Sequence, residues 1–281
     1  MKYVHHVAPY LIAPKHPLTI CCIGAGGTGS QVVNNIARIN HSLLALGHPG
    51  IMLTLFDDDK VSEANIGRQL FSRSDIGQYK ASVLITRVNR FFGFGWKAEC
   101  RRIDKFENND GGNIIITCVD NVKSRKIIGN KFPSKRYKQA MVDRTWADYK
   151  TMFYWIDFGN TRDTAQVILG TLQNIQQIKS KDPEIQFLSF LPHVLDLYPN
   201  MESHEGADQG PSCSLAESLI RQDLFICSTI VQFGCNLIWK LLREHVIEYQ
   251  GVFLNLKTLT VNPIKIKQYG KKERTKKKLQ K

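Results

Sequence analysis

No two of the seven cysteines stand in a C-x-x-C pair, so the usual zinc-ribbon spacing is excluded. Cys21, Cys22, Cys100, Cys118, Cys213, Cys227 and Cys235 are odd in number, which argues against a disulfide framework. Most of them are expected to be buried small hydrophobes. No long uncharged apolar run is present either. The nearest approach, Leu224 to Leu242, carries Gln232, Asn236 and Lys240 and reads as a buried core helix, not a membrane span. The opening "MKYVHHVAPYLIAPKHPL" has His and Pro where a signal peptide needs a continuous apolar stretch. The expectation is therefore a cytoplasmic protein with no membrane contact. No internal repeat is evident.

Carboxylates are scarce: 25 Asp and Glu stand against 38 Lys and Arg, a formal charge of +13. The excess is uneven. From Lys265 onward, nine Lys or Arg face one Glu, which is +8 and leaves +5 for the body. Residues 1–264 are read as one domain and residues 265–281 as a basic, disordered tail. Such a tail suits solvent, or weak electrostatic contact with nucleic acid or an acidic partner.

With 281 residues, 43% of them hydrophobic, the chain can bury a full core. "LTICCIG", from Leu18, reads as a buried parallel strand closed by glycine. Ser30 to Leu46 follows as an amphipathic helix and Ile51 to Asp57 as a second buried strand. A helix is expected at Lys80 to Phe92, a mixed strand near Lys97 to Ile103, and a further buried strand at Gly112 to Asp120. Strand and helix in alternation give a Rossmann-like, doubly wound α/β sheet with a parallel first half. The second half alternates differently. Strands near Gln139 to Asp143, Thr151 to Asp157 and Ala165 to Gly170 suit antiparallel pairing. A long helical stretch at Leu215 to Val246 and a final strand in "VFLNLKTLTVNPI" complete the pattern.

Gly24, Gly26 and Gly29 match G-x-G-x-x-G between a strand and a helix. That alone would suggest a dinucleotide. Yet the acid at the end of the next strand, Asp57, lies 28 residues beyond Gly29, later than the roughly 20 of a nicotinamide site. The segment after it holds Asp59, Asn65, Arg68, Gln69 and Lys80. A nicotinamide site does not require that Arg and Lys. A triphosphate does, because charge develops on its oxygens during attack. Magnesium would need a carboxylate, and Asp120 stands at a strand end for it.

Four segments carry a specific resemblance: "GAGGTGS", "FDDDKVSEANIGRQ", "DIGQYK" and "TCVDN". In this order they resemble the ThiF/MoeB/ubiquitin-activating-enzyme superfamily. The resemblance implies that Gly24, Gly26, Gly27 and Gly29 form the floor under ATP, and that Asp57 accepts the ribose hydroxyls. It also implies that Asn65, Arg68 and Lys80 contact the phosphates, and that Asp120 binds magnesium with Asn121 beside it. The implied activity is adenylation of the C-terminal carboxylate of a small ubiquitin-like protein by a homodimeric enzyme. Transfer to a cysteine would fall to Cys213, which follows a glycine-containing loop and precedes a helical stretch. The second half, with "WIDFGNTRDTAQVILG" and "PSCSLAESLIRQDLFICSTI", resembles a narrower bacterial group, the ThiF-family proteins of the PRTRC cassette. Two departures stand out. The paired cysteines that hold zinc in many relatives are missing, so no zinc is expected. No Arg precedes Arg38 to reach a neighbouring subunit's nucleotide. Three alternatives remain open: adenylation of a carboxylate on a modified tRNA base, a nonenzymatic nucleotide-binding subunit, and an NAD-dependent oxidoreductase.

Overall fold

The computed structural model describes residues 1–105, 110–131, 151–201 and 222–269. The expected strand at Gln139 to Asp143, Cys213 and the tail beyond Tyr269 lie outside them. Eleven strands are found among the described residues: β1 (Lys2–His6), β2 (Leu18–Ile23), β3 (Ile51–Phe56), β4 (Lys97–Glu99), β5 (Ile114–Thr117), β6 (Tyr154–Asn160), β7 (Thr164–Thr171), β8 (Ile185–Phe187), β9 (Val246–Ile247), β10 (Tyr249–Asn255) and β11 (Thr260–Lys265). The main helices are α1 (Gly27–Ala45), α2 (Lys80–Phe92), α3 (Val122–Lys131) and α4 (Ile226–Arg243). None is long and apolar enough to cross a membrane.

Eight strands form one sheet in the order β11-β10-β7-β6-β5-β2-β3-β4. From β6 to β4 every pair is parallel, while β6–β7, β7–β10 and β10–β11 are antiparallel. The parallel half extended by an antiparallel half is as the sequence led one to expect. The chain passes from β2 outward through β3 to β4, then crosses to β5 on the other side of β2. That reversal makes a crevice at the carboxyl ends of β2 and β5, where open α/β sheets bind ligands.

Alternation along the strands explains the two layers. Ile20, Cys22, Ile114, Ile116, Tyr154 and Ile156 enter the core that includes α1, α2 and α4. Cys21, Ile23, Ile115, Trp155 and Ile168 point the other way, into a smaller core with Ile128 of α3 and Val194. A strand's side chains alternate between faces, so the central strands β2 and β5, covered on both sides, are apolar almost throughout. In α1, Val32, Val33, Ile36, Ile39 and Leu43 make the buried stripe.

Several expectations need correction. Of the helical stretch expected at Leu215 to Val246, the described residues are helical over Ile226–Arg243, and Val246 already lies in β9. The tail expected from Lys265 starts later, because Lys265 closes β11 and Ile266 is buried. "VFLNLKTLTVNPI" is a hairpin of β10 and β11, not one strand. The chain reverses at Lys257 to Leu259, where Asn255 Oδ1 accepts the Thr258 N–H (3.2 Å) and Leu259 takes φ 54°. No Gly or Pro marks that turn, so its apolar flanks read as continuous. The mixed strand near Lys97 to Ile103 is also shorter: β4 ends at Glu99 and a 3₁₀ turn occupies Ile103–Lys105.

A second sheet, β8-β1-β9, was not foreseen. Fully buried His5 ties it to the main sheet. Its Nδ1–H donates to the Leu188 carbonyl (2.7 Å), and its Nε2 accepts from the Tyr154 hydroxyl (2.9 Å). The Tyr154 oxygen accepts the Ala8 N–H (3.0 Å). Burial holds the His5 pKa down at about 4, against the opposing pull of the Leu188 bond. The unfolded chain therefore takes up this proton first as pH falls. His5 contributes stability that is complete above pH 6.5 and is lost as pH drops toward about 4. The expected loss over that window is about 3 kcal/mol. Thermal unfolding followed from pH 7 to 4 should show it, with a smaller loss over the same window in His5→Gln, itself less stable at pH 7.

Candidate functional site

The crevice opens into a cleft of about 1080 Å³ that runs from the glycine turn after β2 across to β10 and β11. Gly24 holds φ 97°, and a Cβ there would lie 2.6 Å from the Cys118 carbonyl oxygen. A Cβ on Gly29 would fall 1.8 Å from the Gly24 oxygen. These two glycines let α1 close onto the end of β2. Gly26 and Gly27 serve differently. A Cβ on Gly26 would meet nothing within 4 Å, so the cleft floor there is bare backbone. Gly26 also caps α1 without a side-chain hydrogen bond. The first-turn N–H groups of a helix lack intrahelical acceptors, and the dipole makes that end positive. The floor suits an anion.

Asp57 ends β3. Its Oδ2 accepts the Ala25 N–H (2.6 Å) and its Oδ1 the Asp59 N–H (3.0 Å). Burial raises its pKa to about 6, opposed by the nearby Lys80. Lys80 opens α2 and is only 7% exposed. A cation at a helix N-terminus opposes the dipole. It is held there by Asp59, 2.8 Å away on the cleft rim. Arg68 Nη1 donates to Gln222 Oε1, while its buried Nε has no partner among the described residues. Gln69, 6% exposed, also lines the cleft, its Oε1 without a partner among the described residues. Bare backbone, two cations and the unsatisfied N–H of Arg68 Nε together fit a polyphosphate.

Asp120 and Asn121 are exposed at the opposite wall. Asn121 Nδ2 donates to Asp120 Oδ1 (3.0 Å), and Asn121 Oδ1 accepts the Ser124 N–H (2.8 Å), capping α3. Of the residues marked out in the sequence, Gly24, Gly26, Gly27, Asp57, Arg68, Lys80, Asp120 and Asn121 all line this one cleft. Gly29 packs beneath it. Asn65 is not in its lining; the Asn65 Oδ1 accepts the Ser62 N–H (2.9 Å) in a 3₁₀ capping box.

Sequence reasoning passed over Arg125 and Asp157. Arg125 Nε lies 3.0 Å from Asp157 Oδ1, and both are buried. Arg125 Nη2 donates to the carbonyls of Val119 (2.7 Å) and Phe158 (2.9 Å). Thr117 Oγ1 donates to Asp157 Oδ1 (2.5 Å) and accepts from the Trp155 indole (2.9 Å). Burial raises the Asp157 pKa, against the lowering effect of Arg125. This network locks the ends of β5 and β6 to the start of α3, and so fixes the backbone just before Asp120. A signal was available: an acid inside the apolar run "FYWIDFGN" demands a buried partner. Cys227 was assigned to the helix core. It is buried, but it also borders the cleft, 3.0 Å from where a Gly27 Cβ would stand.

The antiparallel half supplies a different wall. Asn160, Thr161, Thr164, Gln166, Asn255 and Asn262 line it, all neutral and all able to hydrogen-bond.

Residues 16–195 match the ThiF family. A stretch of 128 residues is 38% identical to the tRNA threonylcarbamoyladenosine dehydratase of Haemophilus influenzae, covering 42% of this chain and 44% of that protein. In fold the chain is similar to E. coli MccB, solved with MccA, at a TM-score of 0.52 and 12% identity over 91% of this chain and 64% of that one. MccB solved with ATP gives the same TM-score, identity and coverage. PaaA is similar at a TM-score of 0.52 and 14% identity, over 89% of this chain and 64% of that one. The chain thus spans less than half of the dehydratase and less than two thirds of MccB and PaaA.

Removing Arg125 would leave Asp157 buried without its partner. Arg125→Met is expected to cost about 3–5 kcal/mol in urea unfolding, whereas exchanging both partners for apolar residues should cost much less.

Proposed function

The chain belongs to the ThiF family, and from that premise we propose that it is an ATP-dependent adenylyltransferase acting on the C-terminal carboxylate of a small ubiquitin-like protein. The single observation that carries this is the gathering of Asp57, Arg68, Lys80 and Asp120 around one bare glycine floor. The neutral amide and hydroxyl wall from Asn160 to Asn262 suits an extended peptide tail, whose backbone it can hydrogen-bond.

In the reaction, an oxygen of the substrate carboxylate forms a bond to the α-phosphorus. The bond from that phosphorus to the bridging oxygen breaks, and pyrophosphate leaves with the electron pair. No proton need move, so the protein's work is positioning and electrostatics. Ionised Asp57 accepts the ribose hydroxyls. The N–H groups at Gly26 and Gly27 and the α1 dipole take the phosphates. Lys80 exchanges Asp59 for a phosphate oxygen, and Arg68 extends its unpartnered Nε toward the same anion. Asp120 would hold magnesium, which neutralises charge on the leaving phosphates; a hard carboxylate oxygen suits it.

One domain runs through β11 to Ile266, which is buried in its core; the basic residues after it are an appendage, and the working enzyme is a cytoplasmic homodimer of the PRTRC group. Cys213 is its thioester site if acyl transfer follows. A second substrate, a carboxylate on a modified tRNA base, is favoured by the 38% identity with the dehydratase over 128 residues.

Lys80→Ala or Arg68→Ala should abolish ATP–pyrophosphate exchange, and exchange at the wild-type rate would refute the assignment. Exchange stimulated by an added ubiquitin-like protein, or by modified tRNA, separates the two substrates. Asp57 gives a pH signature. Its carboxylate is protonated as pH falls through about 6, so the affinity for adenosine, which carries no phosphate to titrate, should fall there. Asp57→Asn should bind adenosine weakly at every pH, as titration calorimetry would show.

A further inference from the structure

The end of the sheet opposite the cleft carries a second surface. α1 and α2 both start at the cleft, at Gly27 and Lys80, and run away from it. The far end of α2 is about 20 Å from its start, from the rise of an α-helix. There four rings form a chain. Phe91 and Phe92 have centroids 4.8 Å apart, Phe92 stacks on Phe94 at 5.3 Å and 12°, and Phe94 lies 5.3 Å from Trp96. His41 of α1 is 6.0 Å from Phe92. Phe91 is 80% exposed, Phe92 and Phe94 are half-buried, and Trp96 is in the core.

The loop that carries them is fixed. Gly93, at φ 74°, ends α2. The Asn89 carboxamide bonds both the N–H (3.0 Å) and the carbonyl (2.9 Å) of Trp96. The Trp96 indole donates to the Ile51 carbonyl (2.8 Å). Phe91 is therefore held out on a rigid support. Cβ atoms at Gly93 and Gly95 would meet nothing within 4 Å, so a ligand can come close to the backbone between the rings.

The charge around the rings has one sign. Arg90 and Lys97 flank them and are exposed, as are His41 and, one turn earlier on α1, Arg38. Neither α1 nor α2 contains an Asp or Glu. A protein partner commonly meets an apolar centre ringed by polar groups. Rings flanked by cations, with helices free of carboxylates beside them, suit a polyanion with stackable faces. We propose that this face binds single-stranded RNA, with a base stacked on Phe91 and phosphates held by Arg90 and Lys97. This goes beyond carboxylate activation and does not depend on ATP.

The test is fluorescence anisotropy of a labelled oligouridine with the full chain, without nucleotide, at two salt concentrations. Stacking is worth enough that Phe91→Ala should weaken binding by about fivefold or more. Phe91→Leu, which keeps the apolar surface but not the ring, should weaken it similarly. Arg90→Ala with Lys97→Ala should flatten the salt dependence. The Phe91 effect should persist when Lys276, Lys277 and Lys278 are all changed to Gln, which separates this face from the tail. ATP–pyrophosphate exchange should be unaffected by Phe91→Ala. Unchanged RNA binding in Phe91→Ala would overturn the proposal. So would full binding by Phe91→Leu, which would mark an apolar protein contact, or loss of all binding with the tail substitutions alone.

Discussion

The cleft depends on one close approach. α1 can start where it does only because neither Gly24 nor Gly29 carries a Cβ; at Gly29 that atom would sit 1.8 Å from the Gly24 oxygen. Any side chain there would push the helix off the end of β2. The first-turn N–H groups would then no longer face the crevice, and the floor at Gly26 would lose its bare backbone. The neighbouring strand completes the constraint, since Gly24 also abuts the Cys118 carbonyl of the segment that leads to Asp120. Turn, helix start and the wall at Asp120 are thus mutually fixed.

Around that floor the two cations already have partners within the protein: Lys80 is paired with Asp59, and Arg68 donates to the neutral amide of Gln222. A bound anion need not recruit cations from solvent; it replaces partners that lie on the cleft rim. Asp57 is kept at a cost in stability, because burial holds its pKa at about 6 and ionisation at neutral pH works against folding. Deeper down, Arg125 and Asp157 are buried together with their remaining polar atoms bonded to Thr117 and two carbonyls. Such a pair serves geometry more than stability.

Much of this was legible in the sequence, where local physics decides. The helix expected at about Lys80 to Phe92 is found there, because a strong apolar stripe ends in Phe92–Gly93. The buried strands before Gly24 and Asp57 showed as short apolar runs, and the order of the motifs brought the site residues together before any coordinates did. What escaped was set by distant partners. β1 looks like an unremarkable terminus until β8 and β9, far along the chain, pair with it. The β10–β11 turn has no glycine or proline to betray it. Cys227 reads as core in an apolar helix, and only the packing of α4 against α1 brings its thiol to the cleft. The aromatic face at Phe91 is a property of the loop's hydrogen bonds, which no spacing rule conveys.

The central claim is that a carboxylate attacks the α-phosphorus of ATP in this cleft. The most direct measurement labels the carboxylate of the stimulating partner with oxygen-18 and follows the label after turnover. Attack at the α-position predicts one labelled oxygen in the AMP released when the adenylate is consumed, with unlabelled pyrophosphate. Label in inorganic phosphate, formed alongside ADP, would contradict it.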